Sequence, residues 1–172
     1  TNYSMHNNIS AVNSINWARI IIQSVYYFYT FINFTERASN KVNFSVPTGN
    51  FGDIYAGYVS YKMGLPINKL IVATNENDIL NRFIKSGVYE SKTVIKTSSP
   101  SMDIQVASNF ERLLFDILNQ SNTETKASME NFEASRKISI SEKNLEKVRE
   151  VFSSNSSSMD IVQSTIKSVN CL

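Results

Sequence analysis

At 172 residues, 42% of them hydrophobic, the chain is long enough to bury one ordinary core. Its net charge of +2 is small and its Lys and Arg residues form no cluster, so nucleic acid is not an expected partner. The single cysteine, Cys171, excludes an internal disulfide and has no neighbours that could complete a metal site. These features fit a cytoplasmic protein that binds no metal.

The N-terminal segment has no basic stretch followed by an apolar run, so no signal peptide is expected. Residues Ile20–Phe34 carry no charge, but this stretch is shorter than the ~20 apolar residues that span a bilayer. It also contains the polar residues Gln23 and Ser24. We therefore predict a core helix over about Ser14–Phe34, covered on most sides by other elements, and no membrane helix.

The segment Ser45-Val-Pro-Thr-Gly-Asn-Phe-Gly-Asp-Ile54 has the pattern of a strand, a turn and a helix. We expect the strand at Val42–Val46, a tight turn at Gly49–Gly52 and a helix from Asp53. Such a loop turns backbone N–H groups toward one point at a helix N-terminus, where the dipole favours an anion. Glycine-rich turns are common and most hold no ligand, so the short motif alone leaves a phosphate site and an empty turn both open.

The following segments predict a βαβ unit in a parallel sheet. The helix of this unit ends at Gly64. The second strand is apolar enough to be buried on both faces. Asn75 caps the helix that follows this strand, and Gly87 ends it. The Ser99-Pro100 pair breaks the chain before a further helix. The predicted ranges are helices at Asp53–Met63, Asn77–Lys85 and Met102–Asn119, and a strand at Lys69–Ala73.

Beyond Gln120 the sequence becomes more polar, and we divide the chain into three parts. Residues 1–120 form an α/β core segment, residues 121–152 a helical segment of the same domain, and residues 153–172 a divergent serine-rich tail. The helical segment contains a short helix at Lys126–Arg136, a brief edge strand around Ile138 and a helix capped by Ser141. The run Ser153–Ser158 is typical of a linker.

A second group of polar residues lies in Asn13-Ser-Ile-Asn-Trp-Ala-Arg19. One interpretation is an ordinary helix cap followed by an arginine. The other is a phosphate site, because free N–H groups and a guanidinium one turn later can hold a phosphate together. In the second case Ser14 lies at the cap and Arg19 bends back toward it.

Several longer strings of the sequence form a recognisable pattern. They are Val46-Pro-Thr-Gly-Asn-Phe-Gly-Asp53, Met63-Gly-Leu-Pro66, Leu70-Ile-Val-Ala-Thr-Asn75-Glu-Asn-Asp78, Ser101-Met-Asp-Ile104 and Ser108-Asn-Phe-Glu-Arg-Leu-Leu114. These strings resemble the threonine synthase family, most closely its bacterial and fungal branch, and the resemblance covers roughly residues 8–150. The resemblance implies a fragment of a fold-type II, tryptophan-synthase-β-like α/β domain, in which helices flank a parallel sheet.

The resemblance also implies a function. Threonine synthases are lyases of threonine biosynthesis that use pyridoxal 5'-phosphate (PLP) to convert O-phospho-L-homoserine and water to L-threonine and phosphate. By carry-over, the substrate phosphate is held by Asn13, Ser14 and Arg19. The cofactor is held by Gly49, Asn50, Phe51, Gly52 and Asp53. We expect the Asp53 side chain to face away from the phosphate and to accept N–H or hydroxyl hydrogen bonds.

The family's Schiff-base lysine lies in a segment where Lys is followed by Asp, and no lysine of this chain is followed by Asp. We therefore predict no catalytic residue here, and expect a central fragment that is inactive alone and pairs with the missing N- and C-terminal segments. The absence of an initiator Met agrees with a fragment. The alternative is a non-catalytic phosphate- or PLP-binding remnant or regulatory module of the same fold.

Overall fold

The computed structural model of the chain describes residues 13–34 and 41–170. The sequence Glu36-Arg-Ala-Ser-Asn40 predicts a polar turn, and this turn lies outside the described residues. The helices are α1 Trp17–Phe34, α2 Gly52–Lys62, α3 Ile79–Ser86, α4 Phe110–Ile117, α5 Asn122–Ser135, α6 Glu142–Val151 and α7 Met159–Asn170. The strands are β1 Val42–Pro47, β2 Ile67–Thr74, β3 Val88–Glu90, β4 Lys137–Ser139 and β5 Phe152–Ser156.

The main sheet has three parallel strands in the order β1-β2-β5. The predicted βαβ unit is confirmed, with α2 as the crossover from β1 to β2. On β2, alternate residues from Leu70 to Thr74 are buried and those between them only half-buried, so the strand is less covered on its second face than expected. Strands β3 and β4 form a separate antiparallel pair.

The serine run predicted as a linker forms the third strand of the sheet, so the linker interpretation of residues 153–156 is wrong. Strand β5 begins at Phe152, which is buried, and its backbone pairs with β2 from Leu70 to Thr74. The hydroxyl of Ser154 lies 2.9 Å from Oδ1 of Asn81. Polar side chains are tolerated here because the backbone ladder and these hydroxyl bonds do not require apolar residues.

Two helix boundaries also differ from the prediction. The helix expected at Met102–Asn119 begins only at Phe110, because a 3₁₀ turn at Pro100–Met102 and a loop precede it. Asn75 does not cap α3, which begins after Asp78. Instead, Asn75 accepts a hydrogen bond from the backbone N–H of Asn77 and donates its own amide to distant residues.

Those distant partners belong to a polar cluster around the carboxylate of Asp103. Its Oδ1 accepts from Asn75 Nδ2 at 2.7 Å, Asn77 Nδ2 at 3.1 Å and Thr97 Oγ1 at 2.7 Å. Its Oδ2 accepts from the Thr97 backbone N–H at 2.8 Å. The cluster therefore holds the segment before the 3₁₀ turn against the end of β2. The 3₁₀ turn itself contacts the loop after β1 at Gly49.

Helix α1 packs on the rest of the chain through one stripe, formed by Ile20, Ser24, Tyr27 and Phe31. The rest of its surface exposes apolar residues, namely Ile21, Ile22, Val25, Tyr26, Tyr29, Ile32 and Phe34. The prediction that other elements cover this helix on most sides is therefore wrong for the described residues. No helix within those residues is long and apolar enough to cross a membrane.

We predict that Gly57→Ala destabilises the fold, because the contact between α1 and α2 leaves no room for a methyl group. A Cβ at this position would lie 2.6 Å from Cε1 of Tyr27 and 2.9 Å from Cδ2 of Leu70. Overpacking of this kind costs about 1–3 kcal/mol, more than the ~1 kcal/mol that alanine contributes as a better helix former. Urea unfolding measures the loss. In a Tyr27→Leu background the same change should cost less, and an equal cost would contradict the steric explanation.

We also predict a pH-dependent contribution from Asp103. The hydroxyl and the N–H of Thr97 hold the pKa of this carboxyl below its usual value of 3.8. A carboxyl with a lower pKa in the folded protein stabilises it above the unfolded-state pKa, and loses that contribution as the pH falls through the folded-state pKa. The stability difference between wild type and Asp103→Asn should therefore shrink between about pH 7 and about pH 3.

Denaturant unfolding at each pH measures this difference, and Asp160→Asn, in the exposed first turn of α7, controls for the loss of one negative charge. A difference between wild type and Asp103→Asn that stays constant over this range would contradict the prediction.

Candidate anion-binding site

The loop between β1 and α2 is shaped by its strand neighbour and by one strained residue. The Thr48 N–H donates to the carbonyl of Ala73 on β2 at 2.8 Å, which extends the pairing beyond β1. Phe51 then adopts a left-handed conformation with φ 65°, which costs a non-glycine residue about 1–2 kcal/mol. Its ring is buried with its centroid 5.7 Å from that of Phe152. Burial of the ring offsets the backbone strain.

The backbone donors of this loop are available to a ligand. Within the described residues, the N–H groups of residues 49–54 make no hydrogen bond, and the first intrahelical bond of α2 is that from Tyr55 to the Phe51 carbonyl. A helix always leaves its first N–H groups without an intrahelical partner, and in the part of the chain that the structure describes no side chain caps α2. Such a run of donors at the positive end of a helix dipole favours an anion.

The two glycines of the loop are required by neighbouring groups and do not adopt a positive φ. A Cβ on Gly49 would lie 2.8 Å from the Ser101 carbonyl oxygen, at the 3₁₀ turn. A Cβ on Gly52 would lie 3.3 Å from Nδ2 of Asn109 and 3.6 Å from the Ser14 carbonyl oxygen. The glycines therefore let other segments approach the loop from outside, which the sequence did not predict.

The start of α1 lies beside this loop. Asn16 is the residue that caps α1, since its Oδ1 accepts from the Ala18 N–H at 2.9 Å. The position of Ser14 at the cap, expected in the phosphate-site interpretation, is therefore wrong. The Ser14 hydroxyl lies 3.3 Å from that of Ser108, and Oδ1 of Asn13 accepts from the Ile15 N–H at 3.0 Å. The segment is thus a tight turn followed by a capped helix.

One cavity of about 180 Å³ brings both predicted groups together. Ser14 and Arg19 line it on one side, and the loop after β1 lines it on the other. Asn13 is not among its lining residues, whereas Gln23, which the sequence analysis missed, is. Gln23 could have been found from sequence, because it lies one helical turn after Arg19 on the same face. The loop residues in the lining are Pro47, Thr48, Gly49, Asn50, Phe51, Gly52, Asp53 and Ile54.

The Asp53 side chain is tied to α1. The Tyr27 hydroxyl lies 3.0 Å from the Asp53 carbonyl oxygen and 3.4 Å from Oδ1 of its carboxylate, so the expected hydroxyl hydrogen bond is present. Partial burial raises the pKa of Asp53, and the bond from Tyr27 opposes that shift. Burial also raises the pKa of Tyr27, so its hydroxyl stays a donor to this carboxylate over the physiological range.

Arg19 supplies positive charge to the cavity and is exposed at the surface of α1. Among the described residues, no carboxylate lies within ion-pair distance of its guanidinium. Those residues also contain no group of His, Cys, Asp and Glu side chains that could hold a metal ion. The arrangement can therefore bind anions through backbone N–H groups and a guanidinium.

No family model matches the chain. Individual proteins and solved structures do match it, and those described below are all threonine synthases. Threonine synthase of Saccharomyces cerevisiae is 62% identical over 115 residues, which are 66% of this chain and 22% of that protein. Threonine synthase of Pseudomonas aeruginosa is 50% identical over 144 residues, 84% of this chain and 30% of that protein.

A solved structure of PLP-bound threonine synthase from Brucella melitensis matches with a TM-score of 0.86 and 49% identity. The match covers 91% of this chain and 34% of that one, so the chain spans about a third of the length of this relative. The likeness confirms the predicted α/β fold of the fold-type II PLP enzymes. The chain therefore belongs, over the segment it spans, to the threonine synthase family.

Proposed function

We propose that this chain forms one wall of the active site of a PLP-dependent threonine synthase, a lyase that converts O-phospho-L-homoserine and water to L-threonine and phosphate. The observation that carries the proposal is a cavity lined both by Ser14 and Arg19 and by residues 49–54, whose N–H groups have no partner among the described residues. Relatives named threonine synthase, one of them solved with PLP bound, support it.

In this proposal, Gly49, Asn50, Phe51, Gly52 and Asp53 hold the phosphate of PLP. The N–H groups donate to its oxygens, and the open end of α2 contributes its dipole. The two glycines keep Cβ atoms out of the contacts behind the loop, so the donors stay aimed at the cavity. The carboxylate of Asp53 is kept from the phosphate by its bond to Tyr27.

The phosphate of the substrate is held by the segment from Asn13 to Arg19. Arg19 supplies the positive charge, since a guanidinium presents paired donors that match phosphate oxygens. Ser14 supplies a hydroxyl on the same wall of the cavity. Asn13 acts by closing the turn at Ile15, which sets the position of Ser14. When bound, PLP supplies the electron sink for the chemistry, and this segment orients the substrate.

We predict that inorganic phosphate binds the cavity and shifts the amide resonances of residues 49–54. Charge-assisted hydrogen bonds contribute about 1.5–3 kcal/mol each, so several of them together should make binding detectable at millimolar phosphate. Gly49→Ala should weaken binding, because its Cβ would lie 2.8 Å from the Ser101 carbonyl and displace the loop. An NMR titration of the isotope-labelled chain makes the measurement.

Gly64→Ala is the matched control, at the other end of α2. Gly64 has φ 100°, so this change is also strained, but no atom lies within 4 Å of the added Cβ. It should lower stability and leave phosphate affinity unchanged. If phosphate at millimolar concentration shifts none of these resonances in the wild-type chain, the proposed site is wrong.

We further predict that residues 1–172 alone release no phosphate from O-phospho-L-homoserine, because no lysine among them has the Lys-Asp context that binds the cofactor covalently. A chimaera that carries residues 13–152 in place of the matching segment of the Pseudomonas aeruginosa enzyme should be active. Arg19→Ala should abolish most of that activity, and Lys126→Ala, on exposed α5, should not. Phosphate release measured by colorimetry tests all three. A chimaera that folds and binds phosphate but never turns over would favour a non-catalytic binding module.

A further inference from the structure

Asn109 is a buried amide, with 0% of its surface exposed, at the start of α4. Its Nδ2 lies 2.8 Å from the Ser14 carbonyl oxygen and 3.0 Å from the Asn50 carbonyl oxygen. Its backbone N–H also donates to the Asn50 carbonyl, at 3.1 Å. One residue thus joins the segment before α1 to the loop after β1, the two walls of the anion cavity.

The orientation of this amide follows from its partners. Nε of Arg112 donates to Oδ1 of Asn109 at 3.0 Å, and a guanidinium cannot accept a hydrogen bond. Oδ1 must therefore face Arg112, and Nδ2 must face the two carbonyls, which cannot donate. Arg112 is fixed in turn, since it donates to the Ile15 carbonyl at 2.6 Å and lies 4.8 Å from the ring centroid of Trp17.

The bond to Asn50 determines where one donor of the loop points. A trans peptide is planar, so the Asn50 carbonyl and the Phe51 N–H lie on opposite sides of it. With its carbonyl held by Asn109, this peptide turns its N–H away from α4. Phe51 lines the cavity, and its N–H has no partner among the described residues.

Glycine at position 52 leaves room for the side-chain amide of Asn109. A Cβ there would lie 3.3 Å from Nδ2 of Asn109, tighter than ordinary contacts, and 3.5 Å from Cδ1 of Ile20. Ile20 is fully buried and directly follows Arg19 on α1. The amide, the loop and the start of α1 therefore meet at one point behind the cavity.

We propose that Asn109 is a positioning residue that couples the two walls of the anion cavity, so that the charge of Arg19 adds to the affinity of the loop donors for the phosphate that they hold. This inference rests on the proposed function, because it assumes that the cavity binds phosphate. Asn109 itself contacts no ligand in this scheme. It acts by holding the Asn50 and Ser14 carbonyls to a single side chain.

A double-mutant cycle tests the coupling, with inorganic phosphate as the probe and amide shifts of residues 16–19 and 49–54 as the readout. In the wild-type chain, a phosphate held by the loop should shift both groups of resonances with one dissociation constant, and Arg19→Ala should weaken that binding by about tenfold or more. In an Asn109→Ala background, the loop should still titrate, but Arg19→Ala should change its affinity less than about twofold. A merely structural role of Asn109 would lower stability and leave the effect of Arg19→Ala unchanged.

A second variant and a control complete the design. If Asn109→Ala does not fold, Gly52→Ala takes its place in the cycle. Its added methyl group displaces the Asn109 amide by contact, so it should also reduce the effect of Arg19→Ala on phosphate affinity. Asn131→Ala removes an exposed asparagine amide of α5 and should leave the cycle as in the wild type. Additive effects of Arg19→Ala and Asn109→Ala, with phosphate still bound, would overturn the coupling alone. No binding by the wild-type chain would overturn the proposed function, and the coupling with it.

Discussion

The unsatisfied N–H groups at the start of α2 are the feature on which the rest of the site depends. Any helix begins with such groups, and most helices satisfy them with a capping side chain or water. Here the residue before α2 is Phe51, whose side chain is buried and cannot cap. Burial of the Phe51 side chain therefore fixes the backbone and also leaves the donors free. A site that is preorganised in this way binds an anion without the entropic cost of ordering the loop.

The loop is held in this state from three sides other than the cavity. β2 accepts the Thr48 N–H, the 3₁₀ turn contacts Gly49, and Asn109 contacts Gly52. Each contact comes from a segment far away in the sequence, so the loop cannot relax without disturbing the sheet or α4. The cluster around Asp103 stabilises the loop indirectly, because it fixes the segment that carries the 3₁₀ turn.

The parts of the fold that were predictable from sequence are those set by local chemistry. The βαβ unit followed from its strand and helix patterns, and the ends of α2 and α3 followed from Gly64 and Gly87, which have φ of 100° and 73°. The parts that were missed depend on distant partners. β5 is a strand because its backbone pairs with that of β2. Asn75 does not cap α3, because its Oδ1 accepts from the Asn77 N–H, its Nδ2 donates to Asp103, and the helix begins only after Asp78. The role of Asn109 has no local sequence signal at all.

The stripe by which α1 packs explains how a partly covered helix can still fix the position of Arg19 beside the loop. Ile20, Tyr27 and Phe31 are buried against the rest of the chain, while the outer face of the helix is apolar and exposed. Exposed apolar surface contributes no burial energy, so the burial that positions α1 comes from this stripe. Tyr27 fits only because residue 57 is glycine, and it also bonds Asp53 at the start of α2. Arg19 precedes Ile20, so the contacts that place α1 also set the distance between Arg19 and the loop donors.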